Sequence, residues 1–347
     1  MSKTESGAPP AAADWIRILS NYRDPSFLRS AFEIVVTAAP FLALWALAWA
    51  AWEFGYGWLS FLIAVPAAAF LVRLFMIQHD CGHGSFFKHR ALNDWTGRVI
   101  GVLTLTPYDA WKRAHNIHHG TSGNLDKRGT GDLDTLTVAE YRALPFWGRM
   151  RYRLYRNPLV LFGLGPIYMF ILRHRLPLGE TIKHWRAWIS PMATNAAAAA
   201  LIVGMMWLVG WKVFLLIQIP ITLIAGVIGV WLFFIQHQFE DTFWAADGAW
   251  NVHDAALMGS SYYVMPKPLA WLTAHIGIHH VHHLYARIPF YRLPQVLREQ
   301  ATLANASRVT LWQSFKCARL ALWDDTQRRL LSFREARKIP RKMNGGR

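Results

Sequence analysis

Three short stretches of this sequence concentrate histidine: HDCGH at 79–83, HNIHH at 115–119 and HHVHH at 279–283. They set His79 and His83, then His115, His118 and His119, then His279, His282 and His283 at i,i+4 or i,i+3,i+4 separations. On an α-helix, residues so spaced share a face. His280 points elsewhere on the same turn and is set aside as a ligand. One such pair arises easily by accident; three clusters do not. Imidazole suits iron, zinc, copper and nickel. Eight imidazoles exceed what one ion takes, and they suit two. Neutral ligands leave two dications uncompensated, which favours bridging hydroxide or oxo groups and oxygen activation. A zinc pair would serve hydrolysis or Lewis-acid work. Asp80, Asp132, Asp134, Glu240, Asp241 and Asp254 lie near the clusters in sequence, and some are expected to accept imidazole N–H groups.

These clusters need elements that bring them together. Four apolar runs reach the roughly 17–25 residues that a bilayer crossing requires. They cover about 31–52, 58–77, 191–209 and 212–235. EFGYG joins the first two and GW the last two, so the runs read as two helical hairpins. The stretch 158–172 is shorter and holds Pro and Gly, so it reads as interfacial or partly inserted; 96–106 reads as lying in or under the interface. An even number of crossings then separates the clusters, and all three emerge on one membrane face.

Of 37 Lys and Arg residues, 4 precede the first run, 16 lie in 78–190 and 14 follow residue 283, while the hairpin turns hold only Lys212. The positive-inside rule places both termini and the 78–190 loop in the cytoplasm. Hydrophobic residues make up 53% and charged residues 17%, and the 18 tryptophans suit interfacial belts. The net charge of +16 therefore marks a membrane surface or a docking face, not nucleic-acid binding. Two distant cysteines, Cys81 and Cys317, give no disulfide framework. The expected fold is an all-α integral membrane protein: four transmembrane helices in two hairpins, with a cytoplasmic helical cap holding a histidine-rich dimetal site. Residues 1–28 read as a flexible leader, 29–300 as the membrane domain and 301–347 as a basic cytoplasmic C-terminal segment.

At this point the sequence resembles the membrane-bound fatty acid desaturases. Their signature of HxxxH, HxxHH and HxxHH on four spans stands here as His79–His83, His115–His118–His119 and His279–His282–His283. GDLDTLTVAEY (131–141), IQHQFEDTFW (235–244), GSSYYVMP (259–266) and HHVHHLYARIPFYRL (279–293) are similar to the acyl-lipid omega-6, Δ12-type branch. The resemblance covers roughly residues 30–300. It implies two iron ions, O2 as co-substrate, two external electrons and a cis double bond placed in an acyl chain. It also implies one more histidine near the cytoplasmic end of the fourth span; His237 matches that place best, with His253 and His275 as weaker matches. His275 stands where many relatives carry Asn.

There is no haem-binding His-Pro-Gly-Gly stretch and no Cys-rich ferredoxin segment, and no haem or flavin is expected on this chain. A separate ferredoxin or small cytochrome, with its reductase, would supply electrons, and 284–347 is the expected basic dock for it or for lipid headgroups. The expected location is a bacterial inner membrane. On the same scaffold the alternative is a hydroxylase or ketolase acting on lipids, carotenoids or alkanes; the TLTV and HQFEDT flanks favour desaturation. A transporter would need ionisable groups along its spans, and these hold little beyond Glu33 and Arg73.

Overall fold

The structure, a computed structural model, describes residues 12–129, 131–177 and 183–340. Residues 1–11 of the expected leader fall outside the described residues. The rest of it is folded: α1 (Ala12–Leu19) buries Trp15 and Leu19, and the Tyr22 hydroxyl donates to Glu299 at 2.6 Å. Its apolar side chains find a surface made by distant residues, which local composition does not reveal.

Helices α2 (Phe27–Glu53) and α3 (Leu59–His83) form the first hairpin. The Ser26 hydroxyl caps α2 by accepting the Arg29 N–H. Gly84, at φ +65°, ends α3 immediately after His83 in the left-handed conformation that glycine adopts without strain. The chain continues through α4 (Arg90–Leu103), α5 (Tyr108–Thr121), strand β1 (Leu136–Thr137), α6 (Val138–Ala143) and α7 (Phe146–Tyr155). Residues 159–172 are largely π-helical around a single turn, α8 (Gly165–Ile167). They run beside α10: Phe162 packs on Trp231 and Phe234, and Pro166 lies against Gly226. The second hairpin is α9 (Trp185–Val209) and α10 (Trp211–His237).

α2, α3, α9 and α10 are long and apolar enough to cross a membrane, and 159–172 is not among such helices. They outlast the apolar runs. α3 continues through His79 to His83 and α10 reaches His237, because hydrogen bonding within a helix continues where hydropathy stops. α3 is the central span: 56% of its apolar 18-residue window is buried, against 17–22% of the corresponding window in the other three. Its Arg73 and the Glu33 carboxylate of α2 are each 1% exposed and form an ion pair. Arg73 Nε also donates to Thr37 Oγ1, and the Trp271 ring sits 4.1 Å from the guanidinium. Charges inside an apolar bundle persist when paired in this way.

Beyond α10 come α11 (Val252–Met258), β2 (Tyr262–Val264), α12 (Lys267–Leu272), α13 (His279–Leu284), α14 (Leu293–Glu299) and α15 (Ala301–Asn305). Then follow β3 (Arg308–Thr310), α16 (Leu311–Cys317), β4 (Leu320–Asp324), β5 (Arg329–Ser332) and α17 (Phe333–Lys338). β3 pairs in parallel with β2; β4 pairs with β1 in parallel and with β5 antiparallel. The short strands thus belong to the cap, and the basic C-terminal segment is folded through Lys338. Tyr152 fastens it from α7, its hydroxyl donating to the Ala321 carbonyl at 2.6 Å.

Candidate metal centre

Four elements converge above the bundle. α3 ends in His79 and His83, α5 carries His115, His118 and His119, α10 ends at His237, and α13 carries His279, His282 and His283. Their nitrogens fall into two groups. His79, His83, His115, His119 and His282 form one, and His118, His237, His279 and His283 the other, with ligand atoms within 4.8 Å of one another in each. Each HxxHH segment is therefore divided. α5 sends its outer pair to the first group and His118 to the second; α13 sends its outer pair to the second and His282 to the first. At about 100° per residue, i and i+4 differ by roughly 40° while i+3 falls on the other side of that pair. The groups adjoin where the His119 and His283 rings stack at 4.0 Å.

The nitrogens point at common centres. Nε2 atoms lie 3.0 Å apart in His83–His115 and His279–His237, 3.1 Å in His282–His119 and His118–His237, and 3.2 Å in His119–His115. Two imidazole nitrogens at right angles about an ion, each about 2.1 Å from it, stand about 3 Å apart. His283 Nε2 is buried with no hydrogen-bond partner. This all-nitrogen donor set fits transition-metal ions of the iron, zinc, copper and nickel kind.

The outward nitrogens fix two of the tautomers. His118 Nδ1–H donates to Asp132 Oδ1 at 2.5 Å, and His237 Nδ1–H donates to the Gly259 carbonyl at 3.1 Å. Both arrangements leave Nε2 as an inward lone pair. Trp111, one turn before His115, stacks on that ring at 4.6 Å and 15°. Burial first, and the neighbouring imidazoles next, hold His115, His119, His279, His282 and His283 well below the ordinary histidine value of 6.5. They are neutral at pH 7, as metal ligands must be.

Among the six nearby carboxylates, Asp132 and Asp80 reach these imidazoles. Asp80 Oδ1 lies 3.3 Å from His79 Nδ1, while its Oδ2 accepts the Phe290 N–H at 2.7 Å. Glu240 instead pairs with Arg329, and the Asp254 carboxylate accepts from the Asn251 amide. His280 stands apart, donating Nε2–H to the Leu303 carbonyl at 2.8 Å. His253 and His275 belong to neither group; His275 occupies a left-handed turn at φ +55°. Sequence reasoning missed Trp111 and the Gly259 carbonyl. The i−4 spacing of Trp111 from His115 is a helical signal that could have found it; a backbone carbonyl from another loop leaves none.

The sequence profile described as "Fatty acid desaturase" matches residues 56–315. A fatty acid desaturase of Bacillus subtilis is 44% identical over 319 residues, which is 92% of this chain and 90% of that protein. The "sn-1 acyl-lipid omega-3 desaturase (ferredoxin)" of a Synechocystis strain is 28% identical over 70% of this chain and 68% of its own. The "sn-1 oleoyl-lipid 12-desaturase" of Anabaena variabilis is 26% identical over 73% and 70%.

Proposed function

Because the chain belongs to the fatty acid desaturase family, we propose that it introduces a cis double bond into the acyl chain of a membrane lipid, with Δ12/omega-6 regiochemistry. The observation that carries this reading is the pair of adjoining imidazole groups at the ends of two membrane-capable helices. His79, His83, His115, His119 and His282 would hold one iron, and His118, His237, His279 and His283 the other. Two irons, if bound there, would supply the O2 chemistry needed to take two hydrogens from adjacent methylenes, with two electrons from the external donor.

The protein's own part is to hold neutral nitrogens at fixed positions. Asp132 and the Gly259 carbonyl keep the Nδ1 protons of His118 and His237 turned outward. Trp111 blocks rotation of His115. α3 and α10 run from membrane-capable segments directly into the centre, which supports an acyl chain lying among the spans as the substrate.

The names of the Synechocystis and Anabaena relatives support a lipid-linked acyl substrate, and the former supports a ferredoxin as electron donor. The Δ12 assignment rests on the likeness of residues 131–141, 235–244, 259–266 and 279–293 to that branch, and the TLTV and HQFEDT flanks favour desaturation over hydroxylation. The charge distribution supports an orientation with the centre and both termini in the cytoplasm, and the bacterial relatives favour a bacterial inner membrane as its location.

The test is gas chromatography–mass spectrometry of total fatty acids, with double-bond location. The host makes monounsaturated chains and co-expresses a ferredoxin and its reductase. Dienes carrying the new bond at Δ12, absent from a His282→Ala twin, are expected. A different bond position would move the regiochemistry. Hydroxylated chains would replace desaturation with the hydroxylase alternative. An unchanged profile from iron-loaded protein would overturn the reading.

A further inference from the structure

Away from the imidazoles, α6, α7 and α17 enclose an open cleft of about 760 Å³. Five cations line it: Arg142, Arg149, Arg153, Arg337 and Lys338. Arg142 builds the wall, its Nη2 donating to the Ala336 and Ile339 carbonyls at 2.7 and 2.6 Å. Arg149 donates to the Leu144 carbonyl and Arg153 to the Tyr141 hydroxyl. These neutral acceptors fix the guanidinium groups without cancelling their charge. Arginines elsewhere hold two nearby carboxylates, Glu140 by Arg128 and Glu240 by Arg329, while Glu335 caps α17 through the Ser332 amide and hydroxyl and keeps its charge near Lys338. Five cations facing the single Glu335 charge leave the cleft a net positive site shaped for an anion, and arginine forks match phosphate oxygens.

A second feature identifies what carries the phosphate. α7 presents Phe146, Trp147, Met150 and Leu154 to the outside, each 48–70% exposed. The i, i+4, i+8 spacing of Phe146, Met150 and Leu154 puts them on one helix face. Phe146 and Met150 also form part of the cleft lining. A few residues later, Leu159 and Leu164 are 84% and 60% exposed, beside membrane-capable α10. Aromatic and aliphatic side chains beside arginines are the composition of a helix lying in a bilayer interface. An acidic soluble protein would match the cations and leave this apolar face against water.

We propose that this cleft binds the phosphate headgroup of an anionic phospholipid, with α7 lying in the interface and the lipid seating the C-terminal α17 on the bilayer. The site is separate from the imidazole centre, and the proposal holds whether or not the catalytic reading does.

The test uses the full chain in nanodiscs of phosphatidylcholine mixed with phosphatidylglycerol. After release into detergent, native mass spectrometry counts the lipid retained on each protein. The intact chain is expected to retain phosphatidylglycerol preferentially. Arg153→Gln, Arg337→Gln and Lys338→Gln together should reduce that preference by roughly tenfold or more, from the several-fold attraction that each juxtamembrane cation contributes. A control carrying Arg298→Gln, Arg308→Gln and Lys316→Gln removes the same net charge elsewhere and should keep the preference. Metal content and melting temperature verify that both variants are folded; if the cleft variant is not, Trp147→Ser in the apolar flank replaces it and should weaken retention. Equal retention of both lipids by the intact chain would overturn the proposal, as would equal loss in the control. Complete displacement by glycerol 3-phosphate would reassign the cleft to a soluble phosphate. Unchanged lipid retention in a cleft variant that no longer binds an acidic ferredoxin would reassign it to a protein.

Discussion

Asp132 follows His118 by 14 residues, and its carboxylate oxygen lies 2.5 Å from His118 Nδ1, with both side chains at most 5% exposed. This contact holds the one imidazole that α5 sends to the second nitrogen group. Asp132→Asn removes the charge and puts an amide that can donate opposite a nitrogen that must itself donate. We expect metal affinity to fall about 10–100-fold, the usual consequence of losing such a partner. Metal analysis across a chelator series reads the loss, and circular dichroism checks that helix content is kept. Full metal retention would remove Asp132 from this role.

The imidazoles also set a direction for pH dependence. His115, His119, His279, His282 and His283 stay neutral in the folded chain well below the ordinary value of 6.5. In the unfolded chain each takes up a proton as pH falls through about 6.5. The unfolded state then binds more protons, so stability is full above that pH and declines below it. The ceiling is about 1.4 kcal/mol per imidazole per pH unit, and coupling among the rings lowers it. Metal-stripped protein should melt at a lower temperature at pH 5.5 than at pH 7.5. Metal-loaded protein should release its metal over the same interval, because protons compete for the same lone pairs. A melting temperature that rises on acidification would contradict this arrangement.

His282 and His280 are two residues apart and both buried, yet their roles separate. His282 Nε2 lies 3.1 Å from His119 Nε2 within the first group, whereas His280 bonds to the Leu303 carbonyl. His282→Ala should abolish turnover and lower bound metal while the chain still inserts. His280→Ala should keep the metal and cost about 1–3 kcal/mol for the carbonyl left unpartnered. Metal content and melting temperature of the two variants distinguish these outcomes; equal metal loss in both would place His280 in the centre.

The Arg73–Glu33 pair gives a prediction about the bundle. Glu33→Leu alone leaves the Arg73 guanidinium without its buried carboxylate, which costs about 3–5 kcal/mol. Arg73→Met alone strands Glu33 less severely, because Arg29 also reaches it at 2.7 Å. The double variant should recover most of the stability lost in Glu33→Leu. Unfolding in detergent of the two single variants and the double one measures this. A double variant no more stable than Glu33→Leu would mean that the pair's other contacts, to Thr37 and Trp271, carry the effect.

Local sequence pattern was enough to single out eight of the nine histidines of the centre, leaving His237, His253 and His275 as matches for the ninth, and to predict that the clusters emerge on one membrane face. Histidine spacing at 79–83, 115–119 and 279–283 is local, and so is the hydropathy of the four long helices. Helical periodicity converts the first into faces, and an even count of apolar runs converts the second into sidedness. The exclusion of His280 came from the same periodicity, and its bond to Leu303 agrees with it.

The division of nine imidazoles into two groups follows from how α3, α5, α10 and α13 pack, which no local pattern records. Spacing places His115, His118 and His119 on one broad face; it does not say that α3 stands on one side of α5 and α10 on the other. Nor does it separate Asp132 and Asp80, which reach imidazoles, from Glu240, which Arg329 holds outside. The folding of 301–340 against α6 and α7 was equally hidden, because β4 meets β1 across nearly two hundred residues. Periodicity is a property of neighbours along the chain. Partner choice depends on which surfaces meet when the hairpins pack, and that energy is spread over contacts distant in sequence.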